Sequence, residues 1–406
     1  MSYNILSQQL LRENYYLYKH CSLPILDWNY RYTNIMKEIE EHNADILCLQ
    51  EVQEDHYVSQ IKPSLEALGY HCEYKKRTGD KPDGCAVVFK REAFSLLSWH
   101  PVEYFRPGVP LLDRDNVGLV VLLQPKVEAD RSTPLCVANT HLLYNPRRGD
   151  IKLAQLALLL TELRHVATQP DGSRCPVLVC GDMNSVPWSP LYRFLREGRL
   201  DYYGMSRGEV SGQDAIPSRQ HMLTVPLWPQ GLGISPQCQY QHATSEGLTK
   251  TGEDFSTIRP SIEHSFSLSS AYSHHSSKRG QPEITTCNLR RPLTVDYIFY
   301  TAASRHTSDS SVLSGDGLQL LARLSLFDGT DLHTVGGLPN ANNPSDHLPL
   351  LARFRLHSPQ DHRHPAAAPP PSMRTENLTL INLNSHSKST RELPEKITRA
   401  NEVPVI

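Results

Sequence analysis

Gly181-Asp182-Met183-Asn184-Ser185 closes the apolar run Pro176 to Cys180. A run of that length suits a buried strand, and in an extended chain alternate side chains share a face, so Asp182 and Asn184 are expected to project together from the strand's mouth. One carboxylate and one carboxamide then point at the same spot. The carboxylate can take a proton from water, and the amide can donate to a charged oxygen without adding repulsion. That pairing suits phosphate ester chemistry. The same residues also suit an Asx turn ending a core strand, so the stretch needs partners elsewhere before it defines a site.

Those partners recur along the chain. Met1 to Leu6 reads as a strand carrying Asn4, Asp45 to Val52 as one ending at Glu51, and Leu135 to Asn139 as one delivering Thr140-His141. Asp296 is embedded in the strand-like run Leu293 to Tyr300, and Ser345-Asp346-His347 precedes the strand-like run Leu348 to Leu356. Further strands are expected over Gly84 to Phe89, Phe94 to Ser98, Asn116 to Leu123 and Leu318 to Leu326. Helical spacing marks Asn29 to His42, Pro190 to Glu197, and Ile151 to Val166, where Leu156, Leu159, Leu160 and Leu163 form a core stripe. In a two-sheet β-sandwich, six strand ends with one polar vocabulary can converge on a single rim.

The bulk numbers narrow the classes. With 406 residues and 39% hydrophobic content the chain can bury a substantial core. Its longest apolar run, Val117 to Leu123, is strand length, well under the roughly 18 residues of a membrane span, and residues 1–20 lack a secretory pattern. Nine cysteines include no Cys-x-x-Cys pair, and Cys48, Cys136 and Cys180 sit in apolar runs, which argues against a disulfide framework or a thiolate zinc site. No membrane association and an intracellular location are expected, the cytoplasm first and the nucleus as the alternative. A net charge of −2 leaves any nucleic-acid contact to local basic clusters or a bound metal. Residues 1–356 are expected to form the catalytic domain, with 206–263 as a partly disordered surface insertion and 357–406 as a disordered tail whose His357, His362 and His364 are solvated. The first strand begins abruptly and is expected to be truncated.

Carboxylates and amides without thiolates suit a hard cation, Mg²⁺ with Mn²⁺ as the alternative. Glu51 is the principal candidate ligand, with Asp346 second and Asn4 in support. His347 beside Asp296 would make a base and orienter pair, and His141 is left to hydrogen-bond the phosphate. Basic clusters stand at Lys75-Lys76-Arg77, Arg147-Arg148, Lys278-Arg279 and Arg290-Arg291. Arg147 and Arg148 follow His141 closely enough to touch a neighbouring phosphate, while Tyr144 or Tyr104-Phe105 could stack a terminal base.

The ordered set Ser-Tyr-Asn4, Leu-Gln-Glu51-Val, Asn-Thr-His141, Gly-Asp182-Met-Asn184-Ser, Val-Asp296-Tyr-Ile-Phe and Ser-Asp346-His347 resembles the endonuclease/exonuclease/phosphatase superfamily. The longer phrases at 48–57, 114–119 and 139–150 resemble the Angel branch of its Nocturnin and deadenylase group. The resemblance implies an α/β fold, a DNase-like four-layer sandwich of two mixed β-sheets flanked by helices, with Mg²⁺ at the strand rim. It implies Glu51 as metal ligand, Asp182 as activator of the attacking water, Asn184 and His141 as phosphate contacts, and His347 paired with Asp296. It also implies RNA 3′ ends as substrate, mRNA 3′ untranslated regions among them. Removal of 2′,3′-cyclic phosphates is the first expectation and 3′ to 5′ exoribonuclease action the second. A catalytically silent RNA-binding module is the third, which the complete acid, amide and histidine set disfavours. Met183 departs from the family's usual residue, and its side chain is expected to point into the core.

Overall fold

Two β-sheets face each other because their strands are apolar on both sides. A computed structural model describes residues 1–126, 133–213, 221–241, 260–276, 279–288, 291–302, 317–356 and the main chain of 397–399. One sheet has four strands in the order Ser2–Asn4, Ile46–Gln53, Asp83–Lys90, Tyr70–Lys76. The other has six, in the order Leu268–Ser270, Asp296–Thr301, Val177–Asp182, Leu135–His141, Val117–Pro125, Phe94–Glu103. Each contains one parallel pair, Ser2–Asn4 with Ile46–Gln53 and Leu135–His141 with Val177–Asp182, so both sheets are mixed.

Alternation along each strand sets the layers. Cys48, Val87 and Phe89 of the smaller sheet meet Leu119, Val121, Val137, Leu178 and Cys180 of the larger one in a shared central core. Their neighbours Leu47, Leu49, Ala86 and Val88 face outward and are covered by Ile35, Met36 and Ile39 of the helix Trp28–His42 and by Ile61 and Leu65. On the opposite side Val120, Cys136, Ala138, Val177 and Val179 pack under the helix Gly149–Ala167. Helix, sheet, sheet, helix is therefore the layer order, and the doubly covered strands read as unbroken apolar runs.

A polar pin crosses the central core. Gln50 Nε2 donates to Asn139 Oδ1 at 2.7 Å, and Asn139 Nδ2 donates to the carbonyls of Leu49 and Ala86 at 2.9 Å each. Both residues are fully buried, and leaving either unpaired costs about 1–3 kcal/mol, so the pin ties together the two strands that carry Glu51, one residue past Gln50, and His141, two past Asn139.

Three regions differ from the sequence expectation. The helix Gly149–Ala167 is buried far beyond its leucine stripe, and Val210, Leu223, Leu227, Trp228, Ile234 and Cys238 belong to the same buried core. Those apolar residues lie in the stretch 206–263, whose described part is packed structure; residues 214–220 and 242–259 lie outside the described residues. The last expected strand is shorter, Ala352–Leu356, because residues before it make single bridges, Thr286 with His347 and Ser2 with Leu350. Finally, Ile397–Arg399 pairs with Leu318–Leu324, while the rest of 357–406, with His357, His362 and His364, lies outside the described residues.

Candidate active site

The strand ends open into one cleft of about 1010 Å³, whose walls include Glu51, His141, Asp182, Asn184, Asp346 and His347. Asp182 is the last residue of its strand, but the chain does not run on extended to Asn184. Asn184 has φ 45°, in the left-handed region, and its N–H donates to Asp182 Oδ1 at 2.8 Å. The Asx turn and the paired side chains are thus the same feature: the turn, not strand alternation, brings Asn184 beside Asp182. Asn tolerates that conformation better than most residues. Gly181 before it leaves no room for a Cβ, which would stand 1.9 Å from the Thr140 carbonyl oxygen. Met183 points into the core, fully buried.

Glu51 owes its direction to another backbone device. The ladder between Ile46–Gln53 and Asp83–Lys90 shifts register between Leu49 and Val52, and Glu51 takes φ 54° inside that bulge. A non-glycine residue held there stores strain of about 1–3 kcal/mol, which the surrounding ties must outweigh. Asn4 supplies one tie: its Nδ2 lies 3.1 Å from Glu51 Oε1 and 3.3 Å from Asp182 Oδ2. The Ser7 N–H donates to Glu51 Oε2 at 3.1 Å.

Asp296 begins its strand rather than lying within it, and is the register partner of Asp182 across an antiparallel ladder. His347 Nδ1 lies 2.8 Å from Asp296 Oδ2, and His347 Nε2 and His141 Nε2 lie 3.8 Å and 3.5 Å from Asp182 Oδ2. Burial and the neighbouring Asp296 raise the Asp182 carboxyl. For His347 burial works downward, but the charge and hydrogen bond of Asp296, with Asp346 and Asp182, lift the imidazole well above its ordinary range. His141 goes the other way, to about 3, through burial and then the charge of Arg77. One histidine is therefore a cation at neutral pH and the other a neutral hydrogen-bonding ring.

The donor set fits a divalent cation. Burial and then the Asp346 charge push Glu51 up to about 7, and Asp346 Oδ1 is buried without a hydrogen-bond partner. A half-buried and a buried carboxylate that repel each other, one with an unpartnered oxygen, are what a hard cation relieves. Asp182, Asp296 and His347 form a second group, with ligand atoms within 4.8 Å of one another. The 2.8 Å hydrogen bond between His347 and Asp296 suits that pair to holding a proton beside Asp182.

Other expected contacts lie elsewhere. Arg148 forks onto Asp150, at 3.0 and 3.1 Å, and lines a neighbouring cavity of about 640 Å³. Arg147 is exposed in the same loop. Tyr144 does line the cleft, 62% exposed. Tyr104 is fully buried with its hydroxyl on Thr140, so its ring is spent on packing, while Phe105 is exposed. Arg279 pairs with Asp328 and Asp331, and Lys278 and Arg290 lie outside the described residues. Instead Arg77, Lys81, Arg114 and Arg291 line the cleft, of which the basic clusters had flagged Arg77 and Arg291 without a place. Tyr18 was missed altogether: its hydroxyl donates to Asp346 Oδ2 at 2.9 Å across the whole length of the domain, which no local pattern announces.

Two mixed sheets, four layers and a rim of acids, amides and histidines define a phosphoesterase-type α/β sandwich. The chain belongs to the endonuclease/exonuclease/phosphatase family, whose model matches residues 1–347. It is 62% identical over 368 residues to protein angel homolog 2 of Danio rerio, covering 89% of this chain and 64% of that relative. With the Homo sapiens protein of that name it shares 57% over 374 residues, 88% of this chain and 69% of the relative. The chain thus spans about two thirds of the length of these relatives. Among solved structures it is similar to ANGEL2, a 2′,3′-cyclic phosphatase, in complex with adenosine-2′,3′-vanadate. That match has a TM-score of 0.78 and 58% identity over 87% of this chain and 94% of the other. The human Nocturnin catalytic domain shares the fold, with a TM-score of 0.53 and 23% identity over 87% of this chain and 93% of that domain. No described helix is long and apolar enough to cross a membrane.

Proposed function

We propose that the chain is a Mg²⁺-dependent phosphoesterase that removes 2′,3′-cyclic phosphate from RNA 3′ ends, with Mn²⁺ as the alternative ion. The observation that carries the reading is the 58% identity, over most of both chains, to a 2′,3′-cyclic phosphatase. The cleft chemistry supports it. Glu51 and Asp346, tied by Asn4 and Tyr18, would hold the cation, which when bound neutralises phosphate charge and the leaving oxygen. Asp182, with its raised carboxyl, takes the proton of the attacking water near neutral pH. As the water oxygen bonds to phosphorus, one P–O bond to ribose breaks and that ribose oxygen takes a proton from solvent to become a hydroxyl, leaving a monoester; a second water then attacks phosphorus, the remaining P–O bond to ribose breaks with protonation of that oxygen, and phosphate leaves.

Asn184 and neutral His141 would donate to phosphate oxygens. The His347 cation, steadied by Asp296, stabilises the charge that develops there. Arg147, Arg148 and Tyr144 would contact the RNA beyond the reacting end, mRNA 3′ untranslated regions among its sources. None of the nine cysteines, all among the described residues, is in a disulfide, which suits the cytoplasm, or the nucleus.

The test offers a short RNA ending in a 2′,3′-cyclic phosphate and one ending in poly(A), each with Mg²⁺ and with chelator. Loss of the cyclic phosphate without shortening, abolished by chelator, is expected. Shortening of the poly(A) RNA with the cyclic end untouched would transfer the same residues to exoribonuclease action.

A further inference from the structure

Within the helix Gly149–Ala167, Lys152 and Gln155 stand three residues apart on one face, and both are fully buried. Lys152 Nζ donates to the main-chain oxygen of Asn184 at 2.5 Å and to Gln213 Oε1 at 3.3 Å. It forms no ion pair among the described residues, and burial pulls the ammonium down to about 7 against the charge of Asp182. A lysine in that position is expensive, since methionine would fill the same slot without a polar end to desolvate. Core packing therefore does not explain it.

Its neighbours do. Gln155 Oε1 accepts the Leu143 N–H at 3.0 Å, and Gln155 Nε2 donates to Asn116 Oδ1 at 3.2 Å. Asn116 Nδ2 in turn donates to the His141 carbonyl at 3.1 Å. The segment so held includes Leu142, whose carbonyl accepts Asn184 Nδ2 at 3.0 Å. One helix face thus grips Asn184 twice: its main chain through Lys152, its carboxamide through the strand end that Gln155 fixes.

We propose that Lys152 is a positioning residue for phosphoester hydrolysis, holding the left-handed turn at Asn184 so that the Asn184 carboxamide meets the phosphate. The inference rests on the phosphoesterase reading above. A misplacement of about 1 Å can lower turnover by about 10²-fold, so a tie this close to the reacting group is enough to matter.

The experiment is a double-mutant cycle between Lys152→Met and Asn184→Ala, read as kcat and KM on whichever RNA end the parent cleaves, with melting midpoints recorded for every protein. Lys152→Met is expected to lower kcat by about 10- to 100-fold with KM within about 3-fold, and to add less than about 3-fold loss once Asn184 is alanine. Lys152→Gln, too short to reach the Asn184 carbonyl, is the second variant and should behave alike should Lys152→Met not fold. Independent, multiplying losses overturn the inference, as does an unchanged kcat in either folded variant. A loss seen only in the melting midpoint makes Lys152 structural and also overturns it. A parent inert on both RNA ends refutes the phosphoesterase reading and this inference with it, whereas an active parent with multiplying losses refutes this inference alone.

Discussion

Asp182 and Asp296 are register partners on adjacent antiparallel strands, and His347 spans them, with Nδ1 2.8 Å from Asp296 Oδ2 and Nε2 3.8 Å from Asp182 Oδ2. Two buried carboxylates side by side repel, and the imidazolium between them offsets part of that repulsion. Asp296 holds the His347 ring, while Asp182 also faces His141 and Asn4, the position the proposed water activation requires.

Asp182→Asn removes the proton acceptor while keeping the shape. Turnover of a cyclic-phosphate RNA is expected to fall by about 10²- to 10⁴-fold with RNA binding within about 3-fold, measured by steady-state rates and by a binding titration. Equal turnover by variant and parent ends the assignment.

His347→Ala and Asp296→Asn should not multiply. Each alone is expected to lower kcat by about 10²-fold, and the double variant to be little worse than the worse single, because Asp296 acts through the ring it orients. Multiplying losses would show that Asp296 has a separate task.

Tyr18→Phe deletes the hydroxyl on Asp346 Oδ2 and nothing else in the cleft. The concentration of Mg²⁺ needed for half-maximal activity is expected to rise by about 10-fold or more, with kcat at saturating metal close to the parent. A metal titration of activity decides it, and an unshifted curve separates Tyr18 from the metal site.

Acid should unfold the protein partly through His274. Burial, then the charges of Arg323, Arg196 and His275, lower this imidazole to about 3, while Tyr192 and Ser270 take its ring nitrogen. Its folded value lies below the unfolded one, so the unfolded chain binds a proton that the fold refuses, and stability declines as pH falls from about 6.5 toward about 3. Between pH 7 and 5, His274→Gln is expected to shrink the loss of unfolding free energy by up to about 2 kcal/mol, read by denaturant titration. An identical loss in both proteins would place the acid sensitivity elsewhere.

By itself the sequence determined the strands, the helices and the vocabulary of the site. Strands such as Val177–Asp182 are legible because both faces must be apolar, and Glu51, His141, Asp182, Asp296, Asp346 and His347 are legible because polar residues at the ends of apolar runs are few. Tertiary structure alone decided which of these meet and how each is aimed. The bulge that turns Glu51, the left-handed turn at Asn184, the Tyr18 hydroxyl on Asp346 and the Lys152 tie leave no periodic trace. A period reports which face of an element is buried, whereas a hydrogen bond between residues far apart in the chain exists only once the layers have closed.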